Sequence, residues 1–138
     1  DKTRIGCAGL SLGGEMAMWL GAMDERMAAT LSSGFLTVMD QMKRNHCKCW
    51  KFDGLRELVD FADIYSLIAP RYLLCQNGLK ERSNGFIVPL ARKEMAEIKV
   101  IYNDFGVPEN ATLFVYDGGH GLQMPNLLSF IDKHLGEK

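Results

Sequence analysis

Short apolar runs alternate with longer amphipathic stretches along the whole chain. The short runs predict strands, and the longer stretches, with apolar residues three and four positions apart, predict helices. The predicted strands are residues 3–8, 28–35, 71–76 and 111–116, and the predicted helices are residues 12–22, 55–61, 89–105 and 122–135. This alternation is typical of an α/β fold, here a mostly parallel sheet of about four strands with helices on both faces.

Two further features concern the organisation of the chain. Residues 36–53 have no clean period, so we predict a loop there and expect it to lie near a functional site. The helix over 89–105 starts at a proline and is followed by Gly106, which is expected to end it. No internal repeat, low-complexity tract or linker is visible, and residues 1–138 are predicted to form one domain.

The first predicted strand leads into a candidate nucleophile. Residues 9–13 read Gly-Leu-Ser-Leu-Gly between a strand and a helix, which is the pattern of the nucleophile elbow of serine hydrolases. A side chain at either glycine is expected to collide with neighbouring backbone in such a tight turn, and Gly14 is expected to let the helix approach the sheet. Ser11 is the predicted nucleophile and the Leu12 N–H the predicted oxyanion donor. The simpler interpretation of Ser11 is an ordinary turn serine.

A serine nucleophile needs a base, which is usually a histidine. His120 lies in a glycine-rich loop after the fourth predicted strand, at the edge where parallel sheets bind ligands. His46, in the irregular segment, and His134, near the end of the last helix, are poorer candidates. His120 is therefore the predicted base, although an exposed loop histidine would have the same sequence context.

The acid that orients this base is expected after the third strand, because the order in this type of site is serine, acid, histidine. Glu81 is the only carboxylate in residues 77–84. It lies between two basic residues and would also be compatible with an ordinary solvated charge. Asp117 is the second choice, although three residues before His120 it is better placed to pin the loop than to reach the ring.

The segment around His46 gives two weaker signals. The run His46-Cys47-Lys48-Cys49 superficially suggests a metal site but lacks the second ligand pair of a structural zinc site, so we predict no metal and no cofactor. Trp50 and Met39, or Met42, are predicted to line an acyl or aromatic pocket. Alternatively, these side chains fill a gap beneath the segment.

Composition limits the partners and the location. The 138 residues carry a net charge of -1, which argues against a nucleic-acid partner, and no apolar stretch approaches the roughly 20 residues of a membrane helix. The four cysteines form no obvious disulfide framework, which favours a reducing compartment and hence the cytoplasm. The sequence begins with Asp1 rather than Met, as expected of a processed or shortened chain that has lost any targeting segment.

The chain resembles the C-terminal half of an α/β-hydrolase, and most of all the branch of acetyl xylan esterases and dienelactone hydrolase-like proteins. The resemblance rests on residues 4–14, 47–50 with 62–64, 67–71 with 77–78, and 118–120. In such relatives the acid lies three residues after the glycine that corresponds to Gly78, and this position is Glu81 here. The relatives usually have aspartate at this position, followed by a different turn. Dienelactone hydrolases have cysteine at the elbow, so Ser11 favours the esterase side.

The resemblance implies a serine carboxylic-ester hydrolase that acts on small or short-acyl esters. Complete relatives have about four more strands before the elbow strand and a second oxyanion donor among them. The first strand is therefore expected to be an exposed apolar edge that recruits a second copy or a separate N-terminal half. Two alternatives stay open, a non-catalytic or split-enzyme half-domain that acts as an assembly subunit, and an oligopeptidase-like serine hydrolase.

Overall fold

Four parallel strands form the centre of the molecule. The structure is a computed structural model that describes residues 1–43, 46 and 49–136. The strands pair side by side in chain order, and every neighbouring pair is parallel. They are β1 (Ile5–Leu10), β2 (Met27–Ser33), β3 (Tyr72–Gly78) and β4 (Ala111–Tyr116). The predicted α/β class and the parallel four-stranded sheet are confirmed.

Helices cover both faces of this sheet. They are α1 (Leu12–Met23), α2 (Met39–Met42), α3 (Leu55–Leu58), α4 (Phe61–Ser66), α5 (Val88–Asp104) and α6 (Met124–Leu135). α1, α4 and α5 pack together in one layer, and α6 packs against β1 and β2. The sheet is therefore buried from two sides, which leaves the carboxyl ends of its strands as an edge where loops can meet.

Alternate side chains of the strands enter two separate apolar cores. Leu73 and Cys75 of β3 belong to the larger core, together with Tyr65 of α4 and others from α1 and α5. Leu74, between them in sequence, belongs to the smaller core with Leu127 of α6. This alternation is the period of two expected of a strand with both faces covered.

The predicted helix over residues 55–61 is wrong, because two short helices occupy this region. Asp60 is extended and caps α4, since its side chain accepts the Phe61 N–H at 2.8 Å and its own N–H donates to Asp63 Oδ2 at 2.7 Å. This reciprocal cap starts a new helix where the apolar pattern alone suggests continuation. The predicted loop over 36–53 also contains a helical turn, α2.

The end of α5 agrees with the sequence prediction. Gly106 has φ of 74° and donates its N–H to Asn103 O at 2.9 Å, while the Val107 N–H donates to Tyr102 O at 3.0 Å. These two bonds satisfy carbonyls that the helix end leaves unpaired, in the arrangement of a Schellman motif. Glycine is favoured there because a left-handed φ strains other residues.

Two structural findings concern membrane spans and the cysteines. No helix in the described part of the chain is long and apolar enough to cross a bilayer. Cys7 and Cys75 have free thiols, whereas Cys49 is disulfide-bonded. The sequence indicated no disulfide framework and did not anticipate the bond at Cys49.

Candidate active site

Ser11 lies in a strained turn between β1 and α1. Its φ of 60° and ψ of -117° make it the one non-glycine residue with positive φ among the described residues. The turn is held at both ends, since the Ser11 N–H donates to Ser33 O at 2.9 Å and Ser11 O accepts the Glu15 N–H at 2.9 Å. A backbone of this kind costs on the order of 1–3 kcal/mol and persists only where its surroundings fix it.

The glycines around Ser11 differ in whether a side chain would fit at their position. A Cβ on Gly9 would lie 2.0 Å from Gly13 O, and a Cβ on Gly14 would lie 2.8 Å from Ser33 O. The predicted collisions at Gly9 and Gly14 are therefore confirmed. A Cβ on Gly13 would meet nothing within 4 Å, so the predicted collision at Gly13 is wrong because that side of the turn faces open space.

Glu81 and His120 follow the neighbouring strands β3 and β4 and meet at the carboxyl edge of the sheet. Glu81 Oε1 lies 2.7 Å from His120 Nδ1. A carboxylate can only accept, so Nδ1 carries a proton, and in the neutral imidazole Nε2 then has the lone pair. The Glu81 side chain is 5% exposed and that of His120 is 37% exposed. Asp117, the second choice for the acid, instead pairs with Lys80 at 2.8 Å and is exposed to solvent.

The loop after β4 that contains His120, here called the histidine loop, lies against the loop after β3 that contains Glu81, the acid loop. Their backbones come very close together. A Cβ on Gly78, the last residue of β3, would lie 2.3 Å from Gly118 O. The Lys80 N–H donates to that same oxygen at 2.7 Å, which ties the acid loop to the histidine loop. Gly34, after β2, has φ of 59°, and a Cβ there would lie 2.8 Å from His120 Cε1. Gly34 thus leaves room for the imidazole, and Gly78 leaves room for the backbone of the loop that carries it.

Ser11, Glu81 and His120 line one cleft of about 600 Å³. This volume is within the usual range of small-molecule sites, about 300–1,000 Å³. The other residues that line the cleft are His46, Lys80, Arg82, Asn84, Gly85, Phe86 and Gly119. The structure therefore brings together in one place the three residues that the sequence suggested as nucleophile, acid and base.

Two aromatic side chains of the cleft, Phe86 and His46, lie beside the catalytic candidates. The Phe86 ring stacks on the His120 ring, with centroids 5.5 Å apart, and also lies 5.4 Å from the His46 ring. His46 Nε2 is 2.5 Å from Asn84 O, and because a carbonyl only accepts, Nε2 is the protonated nitrogen. The irregular segment that contains His46 was expected near a functional site, whereas no sequence signal locates Phe86, which reaches the cleft through tertiary contacts. His134 stacks on Tyr72 at the start of β3, away from this edge.

The two residues predicted to line a substrate pocket separate in the structure. Trp50 is 4% exposed and lines a second cavity of about 650 Å³, which shares His46 with the cleft. Met39 lines neither cavity, whereas Met42, its alternative in the sequence prediction, lines the second cavity together with Trp50. The Met39 side chain is fully buried in the larger core, and the Met39 N–H donates to Asp60 Oδ1 at 2.8 Å.

The predicted oxyanion donor lies at a helix start, and the described residues hold no metal cluster. Leu12 is the first residue of α1, so its N–H is one of those that a helix leaves without an intrahelical acceptor. Within the described residues, no three His, Cys, Asp or Glu side chains are grouped so that they could hold a metal ion. Cys47 and Lys48 of the candidate metal run lie outside the described residues.

Comparisons with known proteins place this geometry in a known fold. No protein-family model and no curated protein matches the chain. Solved structures do match. A glucuronoyl esterase from Solibacter usitatus gives a TM-score of 0.81 at 17% identity, over 99% of this chain and 44% of that chain. A glucuronoyl esterase from Sporotrichum thermophile gives a TM-score of 0.76 at 23% identity, over 100% of this chain and 46% of that chain. A carbohydrate esterase family 15 glucuronoyl esterase from Caldicellulosiruptor kristjansonii gives a TM-score of 0.78 at 21% identity over 95% of this chain and 43% of that chain.

The chain has a partial α/β-hydrolase fold. It spans less than half the length of the esterases it matches. At these levels of identity the likeness establishes the fold of the α/β-hydrolase part, and activity has to be argued from the residues of the cleft.

Proposed function

We propose that this chain is a serine carboxylic-ester hydrolase with Ser11, His120 and Glu81 as its catalytic residues. The observation that supports this most is the 2.7 Å contact between Glu81 and the Nδ1 nitrogen of His120 in the same cleft as the strained Ser11. Nucleophile, base and orienting carboxylate are the three roles that acyl transfer by serine requires. The partial α/β-hydrolase fold is compatible with them.

The reaction proceeds in two acyl-transfer steps. Ser11 Oγ attacks the ester carbonyl while His120 Nε2 takes the hydroxyl proton, and the same nitrogen returns that proton to the departing alcohol. Water then attacks the acyl-serine, its proton passes to Nε2, and the acid leaves as Ser11 Oγ recovers a proton. Glu81 holds the ring through Nδ1 and stabilises the imidazolium in both steps. No cofactor takes part.

The oxyanion formed in each step is held by the Leu12 N–H. Sites of this type use a second donor from the part of the α/β-hydrolase fold before the elbow strand. Loss of one donor lowers the rate by about 10²- to 10³-fold. The described residues alone are therefore expected to form a slow enzyme, and a further polypeptide that supplies a donor would raise its rate.

The proposed substrates are esters with a short acyl group, such as an acetyl group on a carbohydrate. The sequence resembles acetyl xylan esterases, and one of the matching structures is described as a carbohydrate esterase. The cleft is open and lined by both polar and aromatic side chains, which suits a hydroxylated alcohol better than a long aliphatic chain.

Covalent labelling with a fluorophosphonate, followed by intact-mass measurement, tests the proposal. The probe phosphonylates an activated serine, so we expect one adduct on the wild-type chain, none on Ser11→Ala and a strongly reduced rate on His120→Ala. Ser83→Ala is the control, because Ser83 is an exposed serine of the acid loop that does not line the cleft. Labelling that Ser11→Ala leaves intact would contradict the proposal.

The same experiment separates the proposal from its alternatives. A folded wild-type chain without an adduct would favour the half-domain that acts as an assembly subunit. If the adduct forms, relative turnover of matched ester and amide substrates distinguishes an esterase from an oligopeptidase-like enzyme. We expect turnover of the ester only.

A further inference from the structure

The base of the proposed site lies on a loop that is weakly fixed by its own sequence. His120 is flanked by Gly118, Gly119 and Gly121, and glycines lose more conformational freedom on ordering than other residues. Its ring has to be held within a fraction of an ångström to pass a proton between Ser11 and the substrate, since misplacement by 1 Å can cost about 10²-fold in rate. The groups that hold this loop therefore matter for activity.

Ser33 contacts the loop and the nucleophile turn at once. It is the last residue of β2 and is fully buried. Its carbonyl oxygen accepts the Ser11 N–H at 2.9 Å, and its hydroxyl donates to Gly121 O at 2.7 Å. One residue thus joins the backbone of the proposed nucleophile to the backbone directly after the proposed base.

Tyr116 holds the same loop from the other side. It is the last residue of β4, and its hydroxyl oxygen lies 2.8 Å from Gly119 O and 2.7 Å from Gly121 O. This oxygen also accepts the Gly121 N–H at 3.1 Å. A hydroxyl has one proton, so Tyr116 donates to one of these two carbonyl oxygens at a time, and Gly121 O also accepts from Ser33. Both residues next to His120 thus lie within hydrogen-bond distance of one tyrosine hydroxyl.

We propose that Ser33 and Tyr116 are positioning residues, which fix the loop around His120 so that the imidazole faces both Glu81 and Ser11. The inference rests on the proposed function, in which His120 is the base. Neither hydroxyl lines the cleft, so both act through the backbone of the loop and not on the substrate. Burial raises the pKa of Tyr116, which keeps its hydroxyl a donor at neutral pH.

The neighbouring serine provides a matched control. Ser32 is also fully buried, and its hydroxyl donates to Gly14 O at 3.0 Å and lies 2.7 Å from Tyr65 Oη. Ser32→Ala and Ser33→Ala remove the same atom from adjacent positions of β2. Neither substitution touches a backbone bond, so the Ser11 N–H keeps its acceptor in both variants.

The experiment compares Ser33→Ala, Ser32→Ala and Tyr116→Phe by steady-state kinetics on a short-acyl ester and by proton NMR of the His120 Nδ1–H. We expect Ser33→Ala and Tyr116→Phe to lower kcat by about 10- to 100-fold with KM changed by less than about twofold. The Nδ1–H resonance, shifted downfield by the bond to Glu81, is expected to broaden or disappear in these two variants. Ser32→Ala is expected to keep both kcat and this resonance.

Each outcome supports or overturns the inference. A wild-type kcat and an unchanged Nδ1–H resonance in Ser33→Ala would overturn it, as would an equal loss in Ser32→Ala. If Ser33→Ala does not fold, Tyr116→Phe tests the inference from the opposite side of the loop, and wild-type behaviour of that variant would overturn it. If the wild-type chain has no esterase activity, the proposed function fails, and the resonance still reports whether the two hydroxyls position His120.

Discussion

At the scale of single residues, the two glycines of the elbow pattern are predicted to respond differently to the same substitution. Gly9→Ala would place a Cβ 2.0 Å from Gly13 O, so the turn around Ser11 must move. We expect loss of fluorophosphonate labelling at Ser11 and a drop in unfolding free energy of about 3 kcal/mol, as for overpacked interior sites. Labelling rates and urea denaturation measure the two effects.

Gly13→Ala is the matched substitution on the other side of Ser11. Its Cβ would meet nothing within 4 Å, and alanine is the better helix former by about 0.5–1 kcal/mol. We expect an unchanged labelling rate and equal or higher stability. Equal damage from Gly9→Ala and Gly13→Ala would show that the elbow does not have the geometry described above.

The residues of the cleft differ in how far sequence could predict them. Ser11, Glu81 and His120 each follow a strand, and the order of chemical groups along the chain suggests their roles. The position of His46 depends instead on the path of an irregular segment, with its ring against Phe86 and its Nε2 against Asn84 O. Such contacts join positions 38 or more residues apart, and no local pattern encodes them.

At the scale of elements, the sequence predicted all four strands and the three long helices with small errors at their ends. The first strand runs to Leu10 rather than ending at residue 8, because β2 continues beside it up to Ser33. Where a strand ends thus depends on the neighbouring strand, which local sequence does not reveal. The split between α3 and α4 was missed because a cap made by Asp60 and Asp63 interrupts an apolar pattern that reads as continuous.

The stability of the folded state is predicted to fall as pH rises through the pKa of Glu94, at the contact between α4 and α5. Glu94 of α5 is fully buried, and its Oε2 accepts the Ala62 N–H of α4 at 3.2 Å. Burial, together with the negative charges of Asp60 and Glu97, raises the pKa of Glu94 to about 7, against a partial offset by Lys93. The folded state therefore binds this proton more tightly than the unfolded state does.

The direction of the pH effect on folding stability follows from this raised pKa. The stability contributed by protonated Glu94 is complete below the ordinary carboxyl pKa of about 4.5 and is lost as pH rises through about 7. At about 1.4 kcal/mol per pKa unit, the loss of folding stability at pH 8 is on the order of 3 kcal/mol. We expect Glu94→Gln to be more stable than wild type at pH 8 and similar at pH 5, by urea denaturation. Glu25→Gln, at an exposed position whose charge does not act on Glu94, is the control, and a Glu94→Gln effect that does not change with pH would contradict this account.

At the scale of the whole molecule, one side of the sheet is left without a neighbour in the described part of the chain. β1 pairs there with β2 alone. Next to it, α1 exposes four apolar side chains that recur at helical spacing, Leu12, Met16, Leu20 and Met23, with exposures of 53%, 49%, 44% and 73%. An unpaired strand edge beside an apolar helix stripe is a surface that recruits another chain.

We propose that this surface pairs with a second copy of the chain. Two identical β1 edges related by a twofold axis would pair antiparallel and place the two α1 stripes close together. Sedimentation velocity at micromolar concentration is therefore expected to show a dimer or larger species. Met16→Glu is expected to shift it to monomer, whereas Val100→Glu, at a 58% exposed apolar position of α5, is expected to leave it unchanged.

The proposed pairing has a consequence for activity, because Leu12 is both the proposed oxyanion donor and part of the exposed stripe. A second chain at this surface would lie beside Leu12, where a second oxyanion donor would act, and one such donor is worth about 10²- to 10³-fold in rate. Esterase activity per chain is therefore expected to rise with protein concentration in the wild type and to stay low in Met16→Glu. A wild-type chain that sediments as a monomer with constant specific activity would show that this edge is not an assembly surface between copies.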